Sequence, residues 1–254
     1  KFDSAWFGAK VIEVKRLDFD VPIKIRSIIH HDSIYFLIEW KDDSLNTLHK
    51  PWKWDGSKNT NVVGKEREDS LTIRWGMNIG DFERDNSSND IWYWGSVRSA
   101  NGYADDMYEK SSRKPLQKGL EKKDFEGRTY YLQTQGDFGI RCWTTGFKEN
   151  VLGLNEKNRY KPQMPKGSRA DVKCVAKWQK NIVKEKEDVA LDKYVLVDKS
   201  YWTLEISRKL TTGNYDDINF NWGQEYFFDI SANPLNYAHV VQNISIMKDD
   251  STLE

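Results

Sequence analysis

Ser33-Ile34-Tyr35-Phe36-Leu37-Ile38-Glu39-Trp40 is a run dense in β-branched and aromatic side chains, closed by Asp42-Asp43-Ser44. Such residues fit a pleated, half-buried surface, and the Asp-Asp-Ser cluster is turn chemistry. Outward from this run the chain repeats the theme. Lys10 to Val14 and Ile23 to Ile29 read as opening strands, and Leu71 to Trp75, Ile91 to Trp94 and Thr129 to Gln133 follow. The last third offers Ala170 to Trp178, Tyr194 to Val197, Tyr201 to Arg208, Tyr226 to Ile230 and Val240 to Met247. Within it Trp202-Thr203-Leu204-Glu205-Ile206 alternates cleanly, and Thr212-Gly213-Asn214 is a turn signal. No helical stripe exceeds two turns, and there is no internal repeat. Many short strands between turn signals predict an all-β fold: an antiparallel β-sandwich with long loops and few short helices, one domain over 1–254.

Three stretches interrupt the pattern. Residues 108–128 are rich in Lys and Glu with little apolar periodicity and read as a long surface excursion. Residues 148–168, with Pro162 and Pro165, read as a second connection, and 180–188 as a solvated hairpin tip. Long ordered loops usually carry function or partner contacts.

Composition removes several function classes. Lys+Arg and Asp+Glu both number 39 in 254 residues, so no net field draws the chain to nucleic acid or to an anionic membrane. No apolar run approaches the ~20 residues of a membrane span. Aromatics at 13%, with 11 Trp, rule out a disordered chain and exceed what a routine core needs. Sandwich cores, carbohydrate sites and haem pockets all use aromatics in this way. Cys142 and Cys174 are the two cysteines, which excludes a cysteine-built zinc or iron–sulfur site and covalent c-type haem attachment. They read as free thiols or as one disulfide. The chain starts at Lys1 without Met, as a processed mature protein does, although a truncated sequence starts the same way.

Signatures of catalysis are absent. There is no G-x-S-x-G, H-E-x-x-H, P-loop or G-x-G-x-x-G, so no catalytic site is expected. Asp105-Asp106, Asp216-Asp217 and Asp249-Asp250 are adjacent pairs. Neighbours on a strand point opposite ways, so adjacency makes no dyad, and turn capping or solvation accounts for them. Asp105 or Asp106 could hold a calcium ion, though without EF-hand spacing. His30, His31 and His49 read as exposed or loop residues, and no two of the four histidines sit at helical metal spacing.

Three features suggest a flat ligand. Trp92 and Trp94, two apart, share one strand face and make an apolar wall that belongs either to a core or to a pocket. His239, in Tyr237-Ala238-His239-Val240-Val241, is a loop or core histidine or an iron ligand. Met77, after Trp75-Gly76, is plain packing or the other type of haem ligand.

These motifs occur in a familiar order. Phe36-Leu37-Ile38-Glu39-Trp40-Lys41-Asp42, His49-Lys50-Pro51-Trp52, Arg67-Glu68-Asp69, Ile91-Trp92-Tyr93-Trp94 and Gly102-Tyr103-Ala104-Asp105-Asp106 come first. Gly167-Ser168-Arg169-Ala170-Asp171-Val172 and Trp202-Thr203-Leu204-Glu205-Ile206-Ser207-Arg208-Lys209-Leu210 follow. Together they resemble the ethylbenzene dehydrogenase-type haem-binding domain. This is the haem b (gamma) subunit of periplasmic molybdenum enzymes of the dimethyl sulfoxide reductase superfamily, similar to subunits of nitrite oxidoreductase and of chlorate and selenate reductases.

The resemblance implies a β-sandwich around one non-covalent haem b, with methionine and lysine, or in some relatives histidine, as axial ligands. Here it points to Met77 and His239, with Met107 and Lys248 in reserve. Trp75, Trp92, Trp94 and Tyr103 would wall the pocket, and Arg74, Arg98 or Arg169 would pair with propionates. Six-coordinate haem implies electron transfer without bond chemistry. The implied partners are a molybdenum catalytic subunit, an iron–sulfur subunit and a soluble c-type cytochrome. The implied location is periplasmic or otherwise extracytoplasmic, with a signal peptide already removed. Two alternatives remain: an extracellular carbohydrate-binding module using a Trp/Tyr platform, and a sandwich subunit that has lost its haem.

Overall fold

The computed structural model describes residues 4–16, 19–77, 88–99, 102–112, 121–125, 128–146, 158–188, 193–232 and 241–245. These are strands, turns and two short 3-10 turns, Ser4–Phe7 and Ser168–Ala170; no α-helix occurs among the described residues. The all-β expectation holds.

Along the chain, β1 (Val11–Arg16), β2 (Phe19–His30) and β3 (Ser33–Lys41) form a meander. β4 (Trp52–Asp55) and β5 (Thr60–Val63) make a small hairpin, and β6 (Ser70–Gly76), β7 (Ser88–Gly95) and β8 (Asp105–Ser112) a second meander. β9 (Glu121–Phe125) and β10 (Arg128–Gly136) come next. Four very short strands follow: β11 (Gly139–Ile140), β12 (Trp143–Thr145), β13 (Tyr160–Pro162) and β14 (Lys166–Gly167). The chain closes with β15 (Lys173–Gln179), β16 (Ile182–Asp188), β17 (Lys193–Asp198), β18 (Tyr201–Lys209), β19 (Glu225–Ala232) and β20 (Val241–Ser245). Two large antiparallel sheets result. One is five-stranded in the order β1-β2-β3-β18-β15, the other seven-stranded in the order β20-β19-β6-β7-β8-β10-β9.

Period-2 alternation builds the core between them. Ile34, Phe36, Ile38 and Trp40 of β3 are buried, as are Trp202, Leu204 and Ile206 of β18, with Trp202 beside Trp40 and Ile206 beside Phe36. The second sheet answers with Leu71, Ile73 and Trp75 of β6, Trp92 and Trp94 of β7, and Tyr226, Phe228 and Ile230 of β19. Rings join the two layers: Phe36 lies 5.2 Å from Trp75 and 5.9 Å from Trp92, and Trp94 lies 5.8 Å from Trp40 and 4.8 Å from Trp202, between centroids. Removing one such ring typically costs about 3–5 kcal/mol.

Three expectations are corrected. The described residues of the stretch 108–128 are not an excursion: β8, β10 and β9 continue the seven-stranded sheet to its edge. The sequence of β9, Glu-Lys-Lys-Asp-Phe, reads as loop because charge at a sheet edge discourages further pairing. The connection 148–168 is partly ordered into β13 and β14, which pair with β12 and β11, while 147–157 lie outside the described residues. The stretch 180–188, expected as a hairpin tip, is instead largely one arm of a hairpin, β16 paired with β17. Cys142 and Cys174 are buried free thiols.

Candidate functional site

The core has a polar end. On β18 the inward sequence Trp202, Leu204, Ile206 continues with Arg208, and on β7 Trp92 and Trp94 are preceded in the same phase by Asp90. Asp106 on β8 lies directly opposite Trp92, so it too faces inward. Arg208 is 2% exposed and donates to Asp90 and to the Ile218 carbonyl. Its Nη1 is also 3.2 Å from Asp217 Oδ1, and its guanidinium lies 4.9 Å from the Trp92 ring centre. The Ile218 N–H donates to Asp90 Oδ2 at 3.0 Å, which holds the loop after β18 over this end.

Asp90, Asp106 and Asp217 bring ligand oxygens within 4.8 Å of one another, and so do Asp137, Asp216 and Asp217. All five residues are buried. Asn214 braces the loop, donating to Asp217 at 3.2 Å and to Asp171 at 2.8 Å. Burial pushes the carboxyls of Asp90 and Asp106 upward, and their negative neighbours add to it; for Asp90 this outweighs the pull of Arg208. Burial, then Asp216 and Asp217, push Asp137 up to about 8. Burial works against the charge of Arg208, but Asp90, Asp106 and Asp217 hold its pKa above the usual value.

Beside this end lies a cleft of about 320 Å³ lined by Gly76, Met77, Asp217, Ile218, Tyr226 and Phe227 among others. Met77 is half-buried there, its N–H bonded to the Ser88 carbonyl at 3.1 Å. The Tyr226 hydroxyl donates to the Asn219 carbonyl at 3.0 Å and accepts from the Asn221 N–H at 2.6 Å, fastening the loop that forms one wall.

The other expected residues fall elsewhere. His239 and Lys248 lie outside the described residues. Met107 sits half-buried on β8 and does not line the cleft. Trp75, Trp92 and Trp94 face protein: Trp75 lies 5.1 Å from Phe220, 5.2 Å from Phe228 and 5.4 Å from Trp92, between ring centres. Tyr103 is half-buried in a single bridge to Lys173. Arg74 spans Glu109 and Asp229, each at 3.3 Å. Arg98 holds Glu68 and Tyr93, and Arg169 grips Asp105 through both Nε and Nη2. Each of the three arginines therefore already has a carboxylate of the chain.

The aspartate–arginine cluster escaped the sequence reading. Its signal was phase: Asp90 and Arg208 occupy inward positions of strongly apolar strands, where a solvated charge does not belong.

The family model for ethylbenzene dehydrogenase matches residues 8–232. The chain belongs to that family. No curated protein matches it.

Proposed function

From that membership we propose that the chain is a b-type cytochrome electron-transfer subunit of a periplasmic molybdenum oxidoreductase. The observation carrying this reading is the family match over residues 8–232, which takes in strands of both sheets. In this reading the protein relays single electrons between the iron–sulfur clusters of its partner and an external c-type cytochrome. It has no catalytic site of its own.

The cofactor would be one non-covalent haem b. Met77 and His239 would hold it, and it would supply one-electron exchange without bond chemistry. Met77 offers a sulfur at a cleft of about 320 Å³, at the lower bound of ordinary ligand sites, where Ile218, Tyr226 and Phe227 stand beside polar residues such as Asn219, Asn221 and Gln224. His239 is the nitrogen ligand in this proposal. The tryptophans do not serve as walls, since they are enclosed by other core rings. Burial also counts against the carbohydrate alternative: Trp92 and Trp94 offer no sugar-stacking face at 0% and 3% exposure.

The test is optical. Protein reconstituted with haem is expected to show low-spin Soret and α bands that sharpen on dithionite reduction. Met77→Ala and His239→Ala should each shift or abolish them. A colourless protein after reconstitution sinks the haem reading; bands unchanged in both variants sink the ligand assignment alone.

A further inference from the structure

We propose that the buried aspartates at the polar end of the core form a binding site for a divalent cation of the calcium class. The site is Asp90, Asp106 and Asp217, with Asp137 and Asp216 beside them. Four separate segments of chain supply these groups: β7, β8, the residue after β10 and the loop after β18. Two of them stand on paired strands, which fix their geometry.

An acidic cluster alone would not carry this. What points to a ligand is the state of the oxygens. Asp106 is 0% exposed, yet neither of its carboxylate oxygens has a hydrogen-bond partner. Asp90 Oδ1 and Asp137 Oδ1 also lack one, and Asp217 Oδ1 has only its ion-pair contact with Arg208. Buried polar atoms are rarely left unmatched, because each unmet group costs about 1–3 kcal/mol. The charge is unmatched too, since the buried guanidinium of Arg208 pairs with Asp90 and Asp217 while Asp106 makes a third carboxylate in the same group. A divalent ion would answer both deficits at once.

The donor set selects the ion. All donors are oxygen, which suits hard cations and disfavours zinc or copper. Several protein oxygens crowd a buried site, which favours calcium over magnesium, an ion that keeps several of its waters. Entry is available, because Asp217 lines both the cluster and the open cleft beside Met77.

The experiment uses the full chain, washed with chelator, without haem. Calcium chloride titrated by calorimetry is expected to give saturable heat at about one ion per chain, with affinity tighter than about 1 mM. Thermal unfolding should rise by several degrees when calcium is restored. Asp106→Asn keeps the shape and removes one charge; it should weaken binding at least about tenfold. If that variant does not fold, Asp137→Asn takes its place and should weaken binding in the same direction. No heat and no thermal shift with calcium, magnesium or manganese chloride would overturn the site, leaving shared protons to hold the carboxylates. Wild-type affinity in a folded Asp106→Asn would overturn it as well. The readout involves no haem, so its failure is separate from failure of the electron-transfer reading.

Discussion

Arg208 stands in line with Trp202, Leu204 and Ile206, and a guanidinium in that position is tolerable only because Asp90 and Asp217 meet it. Breaking a buried pair by removing one partner leaves the other charge stranded. Arg208→Met is therefore expected to lower stability by about 3–5 kcal/mol in chelator, read from urea unfolding. Adding Asp90→Asn to that variant should recover part of the loss; no recovery would show that the two residues are not coupled. His49 is a second buried charge problem, solved the other way. Its Nδ1 is 3.2 Å from Glu68 Oε1, but without hydrogen-bond alignment, and it sits among cations. Burial first, then Arg98, Arg67, Lys50 and Arg159, hold its pKa down to about 3. The unfolded chain takes up that proton near 6.5 and the folded chain does not until about 3. Stability is thus lost as pH falls through this window, by up to about 1.4 kcal/mol per unit. Unfolding of wild type and His49→Gln at pH 7 and pH 5 isolates the effect: the variant should gain on wild type at the lower pH. An unchanged difference would refute the assignment.

At the scale of elements, what the sequence revealed depended on what each strand buries. β3, β18, β6 and β19 were legible because apolar residues alternate against one core. β8 was not, because its buried side chains are Asp105, Asp106, Glu109 and Ser111, a set that reads as solvated until its partners are known. β10 was legible as Thr129 to Gln133, whereas β9, Glu-Lys-Lys-Asp-Phe at the sheet edge, was hidden by its charge. Of the two proposed haem ligands, Met77 lines the cleft beside the loop after β18 and His239 lies outside the described residues. The tryptophan wall was legible as a shared face of β7, but which side of that face was protein depended on Phe36, Phe220 and Phe228, all distant in sequence. The hairpin β16–β17 is a two-stranded sheet of its own, hydrogen-bonded to neither large sheet. Its base is closed by the Lys199 N–H bonded to the Asn181 carbonyl at 2.7 Å, so the chain can be rejoined there. Deleting 182–198 should leave the far-UV spectrum strand-like and lower the unfolding midpoint by only a few degrees. Collapse of the fold on deletion would mean that the hairpin is part of the core. Gly139 is the opposite case. It has φ of 134°, and a Cβ there would run into the Lys166 carbonyl, so Gly139→Ala should cost about 1–3 kcal/mol by the same urea assay.

For the whole molecule, the question is whether two sheets of five and seven strands unfold as one body. The physical answer lies in the rings between them. Trp40 and Trp202 belong to the first sheet, Trp75, Trp92 and Trp94 to the second, and Trp94 packs against both Trp40 and Trp202. Arg208 of the first sheet and Asp90 of the second add a buried ionic tie at the other end of the same interface. Separating the layers would expose indoles and strand opposite charges at once, so partial opening has no inexpensive form. A single cooperative transition is expected, with tryptophan fluorescence and far-UV dichroism falling at the same urea concentration. Fluorescence changing well before the backbone signal would mean that the layers part while the strands persist. That result would divide the chain into two units where one is expected.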